Sequence, residues 1–308
     1  MQYDQNEIYR SYVDELGIDI SGVKRIENIP FLPISFFKSH KIATTDFEPA
    51  IIFESSGTTG ENTSSHFVKD LSVYKRSFLK AFRLFYGDPA NWCIIALLPG
   101  YLDRQHSSLV YMTDELIKMS NHPYSGFYLD DFDKLYQSIV HNEIRDQPVL
   151  LIGVTFALMD FAEKYFLQLK NTTVMETGGM KGRRTEIIRE EVHDFLKNKL
   201  GVQHIHSEYG MTELLSQAYS PEKGIFQCPP WMNVMMREEN DPFEITSGPV
   251  IQNSSTGLIN IIDFANLYSC SFIATDDIGR LYSNGNFEVL GRRDMSDLRG
   301  CSLLTSGN

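Results

Sequence analysis

Cysteine is scarce in this chain, and no two cysteines stand at the spacing that binds zinc or cycles as a dithiol. Cys93, Cys228, Cys270 and Cys301 are the only four in 308 residues, which excludes a disulfide framework and a CxxC metal knuckle. Long apolar runs are missing too: the longest, such as 93–98, have the length of a strand rather than of a membrane span. Basic residues are outnumbered, 28 Lys and Arg against 40 Asp and Glu, for a net charge of −12. That balance argues against a nucleic-acid partner or an anionic membrane surface. The segment MQYDQNEIYR has neither the basic n-region nor the apolar h-region of a secretory signal, so reduced thiols and a cytoplasmic location are the expectation. Internal repeats, low-complexity tracts and the GxxxxGK[ST] phosphate loop are also lacking.

What is present is ordinary globular composition, 42% hydrophobic and 22% charged, enough for a large core. Ile8, Tyr12, Val13 and Leu16 have helical spacing. A Pro-punctuated stretch, 29–33, leads into a short helix at 35–38. Periodicity then predicts helices over 71–85, 107–119, 132–141, 156–169 and 184–200, and strands at 50–53, 66–69, 92–97, 149–152, 173–176 and 203–207. Such alternation implies a layered α/β fold with a largely parallel sheet. After Pro221 the texture changes to short strands (233–236, 243–245, 258–262, 287–290) separated by Gly, Pro and Asn. The expected division is an α/β core, 1–220, and a smaller β-rich lobe, 221–308.

Three local patterns carry chemistry. Ser55, Ser56, Gly57, Thr58, Thr59 and Gly60 follow a strand directly. Glycines let backbone N–H groups turn toward an anion, and hydroxyls add donors, which suits nucleotide phosphates; a plain Ser/Thr/Gly turn is the equal alternative. His206 to Glu213, HSEYGMTE, follows another strand. Its aromatic, glycine, hydroxyl and carboxylate suit a base, a phosphate and Mg²⁺, or else form a helix cap. Thr275-Asp276-Asp277 and Gly291-Arg292-Arg293-Asp294 offer a carboxylate and an arginine for a ribose. Alone, each reads as a solvated turn.

Taken in order, the Ser/Thr/Gly loop, the Gly178-Gly179 turn, YGMTE, the Thr-Asp-Asp segment and GRRD resemble the acyl-adenylate-forming superfamily of acyl-CoA ligases, firefly-type luciferases and peptide-synthetase adenylation domains. The resemblance runs from about Ile51 to Gly300. It implies a layered α/β N-terminal core with a β-rich sublobe. It places phosphates on Ser55 to Gly60 and adenine on Gly178, Gly179, Tyr209 and Gly210. Thr212 falls at the α-phosphate, Glu213 on Mg²⁺, Asp277 and Arg292 at the ribose, and Asp294 at a hinge. ATP and a carboxylic acid are the implied substrates. Two departures stand out. Where the superfamily has a Lys after the loop, this chain has Glu61 to His66, with Lys69 the nearest lysine, which leaves phosphate charge to His66 or to a more distant base. The superfamily's small C-terminal domain with its catalytic lysine is largely absent after Gly300.

The segments IPFLPISFFK (29–38) and LPGYLDRQHSSLVYM (98–112) are similar to acyl-protein synthetases of the LuxE type. That narrower resemblance implies fatty-acid activation and transfer to a cysteine, placed here at Cys301, with an acyl-reductase or acyl-carrier protein as partner. Arg292, Arg293 and Arg299 stand near Cys301 in sequence and would lower its thiol pKa. The alternatives are a coenzyme A ligase similar to phenylacetate-CoA ligases, using CoA as acceptor, and a nucleotide-binding module without turnover. Met232, Met235 and Met236 read as packing, as do His204 and His206, which share a strand face. His106 reads as pocket lining or a helix cap rather than as half of a Ser/His pair.

Overall fold

The computed structural model describes residues 1–55, 63–99, 106–178, 188–239, 244–246 and 254–293. The chain starts with two helices, α1 (Gln2–Gln5) and α2 (Glu7–Glu15), the latter capped by Asn6, whose side chain accepts from Tyr9 N–H. Strand β1 (Leu32–Pro33) and helix α3 (Phe36–Ser39) follow. The hairpin β2 (Ile51–Glu54) and β3 (Ser65–Val68) pairs Glu54 with Ser65. Helix α4 (Leu71–Tyr86) buries Tyr74, Phe78, Ala81 and Phe82, an i, i+4, i+7, i+8 stripe.

The sequence then alternates as its periodicity demands: β4 (Cys93–Leu97), α5 (Ser108–Ser120), β5 (Gly126–Phe127), α6 (Phe132–Glu143), β6 (Val149–Gly153), α7 (Thr155–Lys164), β7 (Thr172–Glu176), α8 (Arg189–Leu200) and β8 (Ile205–Tyr209). Every residue of β4 and β6 is buried, as expected for parallel strands covered on both faces. Strand β9 (Ala218–Ser220) returns antiparallel to β8, giving the order β5-β4-β6-β7-β8-β9. Helix α7 stops at Lys164, short of the expected 169. Beyond it, Leu167 and Leu169 donate their N–H groups to the carbonyls of Lys199 and Leu200 at the end of α8. Tertiary partners thus override local helical spacing. Gly201 ends α8 at φ +68°, and a Cβ there would lie 2.7 Å from the Gln168 backbone, so only glycine fits.

The second sheet comprises β10 (Ile225–Phe226), β11 (Met232–Arg237), β12 (Ile245–Thr246), β13 (Ser254–Asp263), β14 (Phe272–Tyr282) and β15 (Phe287–Arg292), ordered β10-β15-β14-β13-β11-β12, with β1 added parallel to β14. Residues 9–42 therefore pack on this sheet: Tyr9, Val13, Leu32, Phe37 and Ile42 share a core with Ile259, Ile261 and Phe287. The Thr275-Asp276-Asp277 segment is not a solvated turn. It lies inside β14, eleven residues long and paired on both sides. Its register with β13 slips between Leu258↔Ile278 and Asn260↔Ala274, so 275–277 bulge from the ladder. A bulge re-aims side chains, here toward the cleft between the sheets.

Candidate active site

Two cavities, about 530 and 390 Å³, meet beyond the carboxyl ends of β7 and β8. Tyr209, Gly210, Met211, Thr212, Asp277 and Arg292 border both, so they form one cleft. The position is where open parallel sheets bind ligands, because the strand ends and following loops leave a crevice there.

Residues scattered in the sequence converge here. Tyr209 ends β8 and donates its hydroxyl to Asp277 Oδ2 at 2.7 Å. Its ring packs against Phe226 and Phe287. Asp277 faces Arg292 across the β14–β15 ladder. Burial pushes the Asp277 carboxyl up, while Tyr209 and Arg292 pull it back. A Cβ at Gly210 would sit 2.4 Å from Glu208 Oε1, so a side chain there would collide with the cleft's own wall. Gly178 follows β7 at φ +55° and also borders the larger cavity.

Ser55 and Ser64 close the mouth of the Ser/Thr/Gly loop. Ser64 N–H donates to Ser55 Oγ at 2.9 Å, and Ser55 N–H to the Ser64 carbonyl at 3.0 Å. Both border the smaller cavity with Thr212 and Glu213. Ser56, Gly57, Thr58, Thr59, Gly60, Gly179, Asp294 and Cys301 lie outside the described residues.

The charge expected of His66 is not there. Its ring is fully buried, its Nδ1–H donates to the Thr212 carbonyl at 2.8 Å, and burial lowers its pKa to about 4. A neutral imidazole behind the 209–213 turn anchors Thr212; it does not neutralise phosphate. Lys69 also points elsewhere, 4.6 Å over the Tyr268 ring and 3.3 Å from Thr45 Oγ1. Lys38, at the end of α3, borders the smaller cavity together with Ser55 and Glu213, and has no ion pair among the described residues. Lys38 belongs to the IPFLPISFFK segment, where nothing local in the sequence marks it as a site residue. The pairing of β1 with β14 is what brings it to the cleft.

Glu213 is 6% exposed. Burial raises its carboxyl pKa, against hydrogen bonding from Ser64 and the charge of Arg292. No group of three metal-ligating side chains occurs among the described residues. One poorly compensated buried carboxylate beside a hydroxyl-lined cavity nonetheless fits Mg²⁺, which takes one or two carboxylates and completes its shell with water and phosphate oxygens.

Two further carboxylates were missed. Glu176 and Glu208 sit at the ends of the neighbouring strands β7 and β8 and border the larger cavity. Glu176 accepts from Thr155 Oγ1 at 3.0 Å and has Arg189 at 3.5 Å. Glu208 accepts from Thr177 Oγ1 at 2.8 Å but has no cation among the described residues, and burial pushes it up to about 7. A carboxylate two residues before a glycine at a strand end, Glu176-Thr177-Gly178 and Glu208-Tyr209-Gly210, is the sequence signal that marks both. Tyr74, Leu109 and Met112 supply the apolar wall of this cavity. His106 contacts the Ile52 carbonyl at 3.0 Å, while Ser107 caps α5. His206 packs in β8 against Tyr86, whereas His204 lies before the strand, exposed and paired with Glu222, so the two do not share a packed strand face as expected.

A layered core with this sheet order, and a cleft lined from both sheets, defines the class: the fold of adenylate-forming enzymes. Solved structures sharing it include a long-chain-fatty-acid–CoA ligase from Archaeoglobus fulgidus, with TM-score 0.57, 13% identity, and coverage of 83% of this chain and 54% of that one. Another is the O-succinylbenzoate coenzyme A synthetase of Bacillus subtilis in complex with AMP, at TM-score 0.51 and 16% identity, covering 82% and 62%. A third is a luciferase-like enzyme of the mealworm Zophobas morio, at TM-score 0.50 and 17% identity, covering 83% and 60%. The chain thus spans between about half and three fifths of the length of these structures. Comparison with curated protein sequences finds no match. The family model described as acyl-protein synthetase, LuxE, matches residues 1–308. The chain belongs to that family.

Proposed function

We propose that this protein activates a carboxylic acid, a fatty acid in the first instance, by joining it to AMP, and passes the acyl group to a thiol. The observation that carries the reading is the convergence of Tyr209, Thr212, Asp277 and Arg292 on one cleft with an apolar wall on one side and Lys38, Ser55 and Glu213 on the other. The apolar wall suits the acyl chain. Asp277 accepts hydrogen bonds from ribose hydroxyls, and Arg292 adds donors to the same sugar. Tyr209, which borders both cavities, would stack on adenine.

A carboxylate oxygen attacks the α-phosphorus of ATP. The new acyl O–P bond forms as the bond to pyrophosphate breaks, and pyrophosphate leaves with its charge. Both reactants are anions, so repulsion is the main barrier the site must lower. Mg²⁺ held by Glu213 would supply charge neutralisation to the phosphates. Lys38 and Arg292 supply positive charge from the protein itself. Thr212, anchored through its carbonyl by His66, would contact the α-phosphate.

The acceptor in this reading is Cys301. Support comes from the other three thiols: burial pushes Cys93 to about 11 and Cys228 and Cys270 to about 12, so none of them is a nucleophile near neutral pH. The acyl-thioester would then pass to an acyl-reductase or a carrier protein. Acid-dependent ATP–pyrophosphate exchange over fatty, hydroxy and aromatic acids tests the first step. Exchange with a fatty acid is expected; none with any acid, Mg²⁺ present, overturns the reading. Covalent labelling by radioactive acyl substrate tests the second, and Cys301→Ser should abolish it. Acyl-CoA formation in place of self-labelling would assign the chain to the coenzyme A ligases.

A further inference from the structure

A third cavity, about 600 Å³, lies on the other side of β14 from the nucleotide cleft, between the second sheet and the N-terminal segment. Its lining shares Asp276 alone with the two cavities of the cleft. Leu16, Ile18, Val23, Ile29 and Phe31 give it an apolar wall. At its floor is Arg237, the last residue of β11 and half-buried. The guanidinium donates to Asn260 Oδ1 and to the Thr275 carbonyl, both at 2.7 Å, and weakly to the Ile259 carbonyl at 3.5 Å. All three acceptors are neutral. Among the described residues Arg237 has no ion pair, and its Nε–H and second Nη2–H have no acceptor. The neighbouring Asn260 is fully buried in the same lining, with its Nδ2 unpartnered among the described residues.

Among the described residues, the carboxylates that line this cavity do not fill that need. Asp19 spends its oxygens on Ser21, at 2.9 and 2.7 Å. Glu27 pairs with Arg25 at 3.2 Å. Asp276 acts on the guanidinium only at longer range, without forming an ion pair. A desolvated guanidinium held in place by neutral groups, with free N–H donors, is matched by an acceptor that is planar, anionic and bidentate.

We infer that this cavity is a second ligand site, distinct from the nucleotide cleft, for an amphipathic monocarboxylate: the carboxylate on Arg237 and the apolar body against the N-terminal wall. The inference does not depend on the adenylation reading. Neither Arg237 nor Asn260 borders the cleft, and the site would exist in a protein with no turnover.

The test uses the full chain, without ATP, and dodecanoate as probe. Photolabelling with a diazirine analogue of dodecanoate, read by peptide mass spectrometry, should mark the 12–33 segment. Dodecanoate itself should compete, and dodecanol should compete at least tenfold more weakly. Arg237→Gln should lower labelling of 12–33 about tenfold and leave labelling of the 107–112 wall of the other cavity unchanged, since a charge-assisted bidentate contact contributes roughly that much. If Arg237→Gln does not fold, judged by its circular dichroism melt, Val23→Trp decides. That variant fills the cavity, keeps the guanidinium, and should remove the same label. Label confined to 107–112, equal competition by dodecanol, or undiminished label of 12–33 in the folded variants would each overturn the site.

Discussion

Replacing Glu208 by Gln should change how stability depends on pH, in one direction only. Glu208 is 8% exposed and stands beside Glu176 without a cation of its own among the described residues. Burial, ahead of the Glu176 charge, pushes its carboxyl from 4.5 to about 7. Below pH 4.5 the group is protonated in folded and unfolded chains alike. Between 4.5 and 7 the folded protein keeps a proton that the unfolded chain has released, so stability falls as pH rises. Above 7 the loss is complete. At about 1.4 kcal/mol per pH unit, it amounts to roughly 3 kcal/mol. Gln keeps the acceptor for Thr177 and never ionises, so Glu208→Gln escapes the loss. His66 works in the opposite sense: burial lowers it from 6.5 to about 4, and the stability of its neutral form is lost as pH falls through that window. The two overlap, so the informative quantity is the difference between variant and parent. Urea unfolding from pH 4.5 to 8 should show Glu208→Gln gaining about 3 kcal/mol on the parent. A difference that stays flat with pH, or shrinks as pH rises, would refute the assignment of Glu208 as a carboxyl neutral in the folded cleft.

The remaining expectations follow from single contacts. Asp277→Asn keeps the Tyr209 hydrogen bond but removes the charge-assisted acceptor, and should raise the KM for ATP about tenfold with little change in melting temperature. Lys38→Met should slow pyrophosphate exchange about 10- to 100-fold while leaving far-UV circular dichroism unchanged; an unaltered rate would remove Lys38 from the site. Phe78→Ala, in the buried stripe of α4, should cost about 3–5 kcal/mol in urea unfolding. Gly201→Ala forces a side chain into a φ of +68° and against the Gln168 backbone; destabilisation by about 1 kcal/mol or more is expected, seen as a lowered thermal midpoint.

Helix and strand alternation from 71 to 209 was legible because its signals are local: the α4 stripe, the caps of Asp70, Ser107 and Asp131, and strands whose every residue is apolar. The second lobe was less legible. Strand β14 carries Thr, two Asp, Gly and Arg in its middle, a composition that reads as a turn when taken alone. It is a strand because β13 and β15 flank it and Thr275 Oγ1 donates to the Ile259 carbonyl at 2.8 Å. Similarly, the exit of α7 at Lys164 depends on backbone acceptors about thirty residues further along, on α8.

The chemistry-bearing residues divide along the same line. The order of the motifs along the chain, through its resemblance to the adenylate-forming superfamily, singled out Ser55, Tyr209, Thr212, Glu213, Asp277 and Arg292; the residue types alone left turns and caps as equal readings. Charge state and direction were not in the sequence. His66 is neutral because it is buried, Lys69 is turned away onto an aromatic ring, and Lys38 reaches the cleft because β1 pairs with β14. Arg237 and Asn260, 23 positions apart, meet because β11 and β13 are adjacent strands. Desolvation and contact are set by neighbours distant in the chain, so these properties came into being only when the two sheets packed.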